Sequence, residues 1–399
     1  MRILVHDYSG HPFQIALSRW LAAQGHTVRH VYSTAVETPR GPLERTAADP
    51  AGFDVRPLAR GTVLDKYRPH RRLVQEAGYA DTLANEIDRF RPHSILSGNC
   101  SPLIQLRAAR ASRRAGAGFV YWLQDIYAEA LLDALRHKGS WMARVAAPVA
   151  HGVEARALRA ADAVVPIAES FAEAAVEAKV CPTRIRTIPN WASPLPASGD
   201  GGAEWAEQHG LNGRFVFLYT GTLGQKHDPG TLAALARHFA EDPRVAVVVA
   251  SQGPGRDALD KIQRTERLAN LYLMDFLPYD ELAEALRAAD VLLVTLSAAA
   301  SRYAVPSKVL TALRSGRPIL AAMPASNPAA ATLRSACGGV CVEPGDRDGW
   351  LAAARRLRRD PEMLERLGGN GVAFAKDNFD IERIGRSFLD LLQRVQGGR

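Results

Sequence analysis

The chain has 399 residues, of which 47% are hydrophobic and 23% charged; such values exclude a disordered or fibrous chain and leave room for two domains at roughly 100–200 residues each. Its net charge of +8 is uneven: residues 1–195 hold 25 Lys+Arg against 18 Asp+Glu, a net of +7, and residues 196–399 hold 25 against 24, a net of +1. The four scattered cysteines, Cys100, Cys181, Cys337 and Cys341, exclude a disulfide framework or zinc ribbon and read as free thiols of a reducing compartment.

The opening MRILVHDY lacks the apolar core of a secretory signal, and runs such as VAVVVA at 245–250 fall far short of the roughly 20 residues of a bilayer span, so the expected location is cytoplasmic. Apolar runs then alternate with helical patterns, as in a parallel sheet covered by helices. The first half predicts strands at 2–6, 27–32, 93–98, 118–123, 163–167 and 184–189, with an irregular stretch over 33–65. Its first helix sets Ile15, Leu17, Leu21 and Ala22 on one face, with Gly25 closing it. Basic clusters at Arg68/His70/Arg71/Arg72, Arg107/Arg110/Arg113/Arg114 and Arg136/His137/Lys138 read either as solvated helix faces or as a surface for anionic lipid or an anionic acceptor.

The Pro-, Gly- and Ser-rich segment NWASPLPASGDGGAE, 190–204, reads as a linker between domains at 1–189 and 205–380. The alternation restarts beyond it, with strands predicted at 214–220, 244–251, 271–276, 290–296, 317–322 and 339–343. The final segment 381–399 contains an amphipathic helix bearing Ile381, Ile384, Phe388, Leu391, Leu392 and Val395, which needs a surface and is expected to pack back on the first domain.

In open α/β sheets, ligands bind where strand ends meet helix N-termini and glycine turns. Three strand ends of the second half fit: Gly221-Thr222-Leu223-Gly224-Gln225-Lys226, Ser251-Gln252-Gly253-Pro254-Gly255, and Val305-Pro306-Ser307-Lys308, with Pro306 suited to a first helical position. Together they make a diphosphate cradle, although Gly253 and Gly255 taken alone read equally well as turn glycines. In the first half, Gly10 and His11 form a short loop into a helix, and Gln124 and Asp125 end a strand. Asp125 reads as a helix cap or as a group that handles an acceptor hydroxyl. Asp346-Arg347-Asp348 precedes a helix and reads as capping rather than metal binding. Neither G-x-G-x-x-G nor G-x-x-x-x-G-K-[ST] occurs in the first half, which removes support for dinucleotide oxidoreductases and P-loop NTPases. No aromatic-interleaved basic stripe suggests nucleic acid as a partner.

The residues resemble glycosyltransferase family 4, the retaining GT-B transferases, over nearly the whole chain, and especially the bacterial exopolysaccharide and O-antigen (colanic-acid-type) branch. The resemblance rests on LAAQGHTV after the first glycine loop, QDIYAEAL, IPNWAS at 188–193, YTGTLGQK at 219–226, SQGPG at 251–255, FLPYDELAEALRAADVLLV at 276–294, VPSKVLTALRSGRPILA at 305–321 and VEPGD at 342–346. It implies an α/β GT-B fold, two Rossmann-like doubly wound domains facing across a cleft. It also implies a nucleotide-sugar donor, UDP- or GDP-linked, in the second domain, an acceptor in the first, and transfer without a metal or other cofactor. The +7 against +1 charge split and the segment 140–160, which sets Trp141, Met142, Val145 and Val149 against Arg144, Arg156 and Arg159, predict further that the acceptor is a lipid-linked saccharide, a polyprenyl diphosphate sugar, and that the first domain rests on the inner face of the cytoplasmic membrane.

Carried over by motif, Lys226 and Lys308 take the donor diphosphate with Gly221, Thr222 and Gly224; Gly253, Gly255 and Ser307 complete the cradle, and Phe276 and Leu277 lie beside the base. Asp125, with Lys226 and Lys308, is assigned to catalysis, while Gly10, His11 and Gln124 serve the acceptor. Many relatives carry two glutamates eight positions apart where this chain has Tyr303 and Thr311. Losing a charged acceptor costs about 1.5–3 kcal/mol of donor binding unless replaced. That departure keeps open a catalytically degenerate nucleotide-sugar-binding protein; a sugar-nucleotide epimerase is the other alternative.

Overall fold

The computed structural model describes residues 1–36, 40–58, 69–136, 139–192, 195, 201–224 and 226–397. They divide into two units, one of Met1–Asn190 with Ile381–Arg399 and one of Trp191–Asp380. Each unit is built on its own parallel six-stranded sheet.

In the first unit the strands are β1 (Arg2–Asp7), β2 (Thr27–Ser33), β3 (Phe53–Leu58), β4 (Ser94–Gly98), β5 (Gly118–Leu123) and β6 (Ala163–Pro166), in the order β3-β2-β1-β4-β5-β6. Around them lie α1 (Pro12–Ala23), α2 (Pro69–Phe90), α3 (Pro102–Arg114), α4 (Tyr127–Arg136), α5 (Ser140–Ala160) and α6 (Glu169–Glu177). Pro12 opens α1, and Gly25, with a φ of +83°, ends it where a side chain would be strained.

The second unit begins with α7 (Gly201–Gln208) and continues through β7 (Phe215–Thr220), α8 (Pro229–His238), β8 (Val245–Ala250), α9 (Pro254–Glu266), β9 (Leu271–Met274), α10 (Tyr279–Ala288) and β10 (Val291–Thr295). It ends with α11 (Lys308–Ser315), β11 (Ile319–Ala322), α12 (Pro328–Ala336), β12 (Gly339–Val342), α13 (Arg347–Arg359) and α14 (Pro361–Asn378). The sheet order is β12-β11-β10-β7-β8-β9, so both sheets follow the doubly wound plan. Every residue of β8 is buried, as expected of a strand covered by helices on both faces.

The closing helix α15 (Ile381–Gly397) belongs to the first unit, where it packs on α1, β4 and β5. Phe388 is fully buried with its ring centroid 4.7 Å from that of Trp122. Trp20 Nε1 donates to Glu382 at 2.8 Å, and Ser94 Oγ to the Leu392 carbonyl at 2.9 Å.

Three local expectations are corrected. The irregular stretch over 33–65 contains β3, an edge strand whose Asp54, Arg56 and Pro57 face solvent in part and so hide any apolar alternation. The strand expected at 184–189 is a short helical turn at Pro182–Arg184 and then a segment beside β6, with Arg186 N and Ile188 N donating to the Val164 and Pro166 carbonyls and a single bridge at Ile185. Residues 201–204, read as linker, start α7. Linker residues 193–194 and 196–200 lie outside the described residues, as do Arg68, His137 and Lys138 of the basic clusters, the side chain of His70, and Gln225.

Among the described residues, seven of the nine exposed large apolar side chains fall on α2, α4 and α5: Leu73, Val74, Leu131, Trp141, Val145, Val149 and Val153. On α5 they recur every fourth residue, so they form one ridge. The exposed formal charges of that helix are all basic, Arg144, Arg156 and Arg159, because its one carboxylate, Glu154, is buried. No described helix is long and apolar enough to cross a membrane.

Candidate active site

In the second unit the strand order reverses between β7 and β10, the place where doubly wound sheets open a crevice at their carboxyl ends. Gly221 follows β7 with a φ of +97°, and its N–H donates to the Ala250 carbonyl at 3.0 Å. Leu223 N donates to the Gln252 carbonyl at 3.2 Å and Gly255 N to the Leu223 carbonyl at 2.9 Å, which laces the two glycine turns together. A Cβ at Gly255 would sit 2.6 Å from that carbonyl oxygen. Gly255 therefore serves the packing of one turn on the other, with its amide already engaged. Gly253, at a φ of +113°, is likewise a turn requirement.

Lys308 opens α11, and its Nζ reaches back beneath β7 to lie 3.8 Å from the centroid of the Tyr219 ring. That nitrogen is shut off from solvent and has no hydrogen-bond partner among the described residues. Burial pulls its pKa down to about 7. A Cβ placed on Gly221 would be 3.8 Å from the same nitrogen, so the amine sits directly under the first glycine turn. Lys226 Nζ lies 5.2 Å from the ring centroid of Tyr303, a buried side chain in the loop before α11.

Between the lysines runs a third group, His227. Its Nδ1 donates to the Thr295 carbonyl at 2.6 Å, while Ser297 N donates to the Lys226 carbonyl at 2.8 Å, so the turn after β7 is tied to the end of β10. Burial first, and then the charge of Lys308, lowers the His227 pKa to about 3; Lys226 adds to that charge. The ring is therefore neutral and hydrogen-bonds through a fixed nitrogen.

The remaining predicted donor residues are more dispersed. Thr222 gives its carbonyl to the Tyr219 hydroxyl at 3.0 Å, and a Cβ on Gly224 would meet only the Thr222 methyl, at 3.7 Å. Ser307 is exposed at the start of α11, and Thr311 is half-buried one turn on. Pro306, expected as the first helical residue, instead ends the loop two positions before the helix. Phe276 and Leu277 follow β9, at the edge of the sheet beyond β8, and both are half-buried. Asp346 accepts from Gly349 N at 2.9 Å, the geometry of a helix cap.

The first unit has its own reversal point, between β1 and β4. There Asp7 is wholly buried and accepts from Ser9 N at 3.1 Å, from His11 N, from Asn99 Nδ2 at 3.2 Å and from the Gln14 amide nitrogen at 2.7 Å. Burial raises the Asp7 pKa, opposed by the nearby His11 and by the Asn99, His11 and Ser9 donors. The carboxylate shapes the Gly10–His11 loop. Gly10 has a φ of +80°, and a Cβ on it would meet Leu43 at 2.7 Å. His11 sits at the N-cap of α1, stacked on Phe13.

After β5, Gln124 and Asn190 exchange amide hydrogen bonds of 3.1 and 2.6 Å, and Asp125 follows, half-buried. The first amides of α4, Tyr127 N and Ala128 N, donate to Glu154 of α5 at 2.7 and 3.2 Å. Asp7, Gln14, Asn99, His227 and Glu154 are absent from the sequence-based set. Asp7, a carboxylate ending a strand before a glycine loop, carried a readable signal; Glu154 lies 27 residues from the amide it caps and carried none.

The described cysteines are unpaired, Cys100 within the core. The glycosyl transferase 4-like domain family matches residues 15–191, and the glycosyl transferases group 1 family matches residues 203–373. No curated protein matches the sequence. Among solved structures, the chain is similar to sucrose-phosphate synthase from Thermosynechococcus elongatus, with 17% identity, a TM-score of 0.75 and full coverage of both chains. It is also similar to Anabaena HepE in complex with UDP-glucose, at 18% identity and a TM-score of 0.70 over 99% of this chain and 100% of that one. WaaG, a glycosyltransferase involved in lipopolysaccharide biosynthesis, has 17% identity and a TM-score of 0.68 over 98% and 99% of the two chains. The two family matches, one to each Rossmann-like unit and together spanning most of the sequence, show that the chain belongs to the GT-B glycosyltransferases.

Proposed function

We propose that the chain is a retaining glycosyltransferase that moves a hexosyl or N-acetylhexosaminyl group from a UDP-sugar to a lipid-linked saccharide, a polyprenyl diphosphate sugar, in bacterial surface polysaccharide synthesis. The observation that carries the donor half is the buried, unpartnered Lys308 amine under the first glycine turn at the sheet reversal. A buried amine without a carboxylate is costly as an ammonium and gains most from an incoming diphosphate. Lys308 and Lys226 then stabilise charge developing on the leaving diphosphate, the role a divalent cation plays in other transfers, so no metal is required. The freed phosphate oxygen takes the acceptor proton, and Asp125 with His11 orients the acceptor hydroxyl. Anabaena HepE, solved with UDP-glucose, supports uridine as the base.

Two experiments test the halves separately. Thermal shift and nucleoside diphosphate release across UDP- and GDP-sugars, with and without a chelator, should single out one UDP-sugar and be indifferent to the chelator. A flat response to every nucleotide overturns the donor reading.

The acceptor half rests on the +7 charge of residues 1–195 and on the α5 ridge, whose exposed charges are basic. Each basic residue near an anionic surface contributes about 1 kcal/mol, enough for reversible binding at the cytoplasmic face. Co-sedimentation should require anionic vesicles, weaken with salt and fall in a Trp141→Ser/Val145→Ser/Val149→Ser variant. Equal indifference to neutral and anionic vesicles, with efficient transfer to a free sugar, overturns it.

A further inference from the structure

Helix α4 begins directly after Gln124-Asp125-Ile126, and the residue at its N-cap position, Ile126, has no side-chain oxygen to satisfy the first free amides. A carboxylate from a different helix does so instead. Glu154 of α5 accepts from Tyr127 N at 2.7 Å through Oε1 and from Ala128 N at 3.2 Å through Oε2. It is buried at 5% exposure and makes no ion pair among the described residues.

The surroundings of Glu154 are unfavourable for a carboxylate. Burial raises its pKa to about 7, the two amides oppose the rise, and Glu129 of α4 and Asp125 of the loop add to it. A Ser or Thr at position 126 would cap α4 locally without placing a third acid beside these two. What the remote carboxylate adds is a fixed distance between α5 and the start of α4. The other end of the short loop is held by the reciprocal Gln124–Asn190 amide pair. Asp125 therefore sits between two clamps, one to Asn190 and one to α5.

We propose that Glu154 is a positioning residue that holds Asp125 in its working orientation toward the acceptor. The inference rests on the acceptor role given to Asp125 under Proposed function. Glu154 touches no substrate; its effect passes through the backbone of residues 125–128.

The test uses the full chain, the donor that the wild type selects, and an acceptor that the wild type glycosylates from a panel of prenyl diphosphate-linked and free monosaccharides. For Glu154→Ala, transfer at subsaturating acceptor should fall about tenfold or more, as expected when an orienting group is displaced. UDP-sugar affinity and UDP release to water should stay within about twofold, since those depend on the other unit. Glu154→Gln, which keeps the volume and one carbonyl acceptor for Tyr127 N, should recover most of the loss. A parallel decline of melting temperature, donor hydrolysis and transfer would mark a purely structural cap and overturn the proposal. If Glu154→Ala fails to fold, the residual loss in Glu154→Gln decides: the one amide left without an acceptor should raise acceptor KM about two- to threefold with donor KM unchanged, and an unchanged acceptor KM overturns the proposal. Asp125→Asn separates the two layers. If it leaves transfer intact, the acceptor reading falls and the positioning role with it; if it abolishes transfer while both Glu154 variants behave as wild type, only the positioning role falls.

Discussion

Replacing Lys308 with Met is expected to weaken UDP-sugar binding by at least tenfold near pH 7, about 1.4 kcal/mol, and to flatten the pH dependence of binding. Methionine keeps the length and apolar stem that pack beneath β7, so the change isolates the amine. This nitrogen is buried against Tyr219 with a pKa of about 7. Below that pH it is already charged and meets the diphosphate as an ammonium. Above it the amine is neutral until the donor binds, and binding then takes up a proton. Affinity should therefore be level on the acid side and fall, by up to about tenfold per pH unit, as pH rises past 7. A UDP-sugar is the right probe because its diphosphate, esterified at both ends, keeps its charge across that range. Calorimetry from about pH 6 to about pH 8.5, in buffers of different ionisation enthalpy, reads both affinity and proton uptake. Lys226→Ala should lose a similar factor in affinity. Normal donor affinity in both variants would place the diphosphate elsewhere.

The second large effect is on stability. Phe388→Ala removes a fully buried ring packed at a tilt against Trp122 at the contact of α15 with the first unit's sheet. Emptying such a site costs about 3–5 kcal/mol, a large share of the roughly 5–15 kcal/mol that holds a domain folded. The melting temperature of the first unit should drop on the order of 10 °C, with that of the second unit nearly unchanged. Differential scanning calorimetry of the full chain with and without the donor separates the two, because donor binding raises only the transition of the unit that holds it. A shift confined to the donor-stabilised transition would assign α15 to the wrong partner.

Much of the fold was legible because burial leaves a periodic trace. Strands such as β8 are covered on both faces and read as unbroken apolar runs, and α15 repeats its apolar residues at helical spacing. β3 escaped because an edge strand with Asp54, Arg56 and Pro57 needs no such run. The strand expected at 184–189 misled for the opposite reason: its alternation is that of an extended segment bonding through single amides to β6, which local pattern does not distinguish from a ladder.

At the site, the positions of turns and amines could be read along the chain: the glycines after β7 and β8, the lysines at 226 and 308, and the glycine loop before α1. Turn glycines and strand ends are local requirements, so they are written locally. What those groups experience is set by the folded arrangement. It turned Gly255 into a packing contact for Leu223, set the Lys308 amine against the Tyr219 ring with no counter-charge among the described residues, placed a neutral His227 between the two strand ends, and brought Glu154 across from α5 to the first amides of α4. The reason is physical: desolvation, charge proximity and remote capping depend on distances in space between residues far apart in sequence, and no spacing along one chain encodes them.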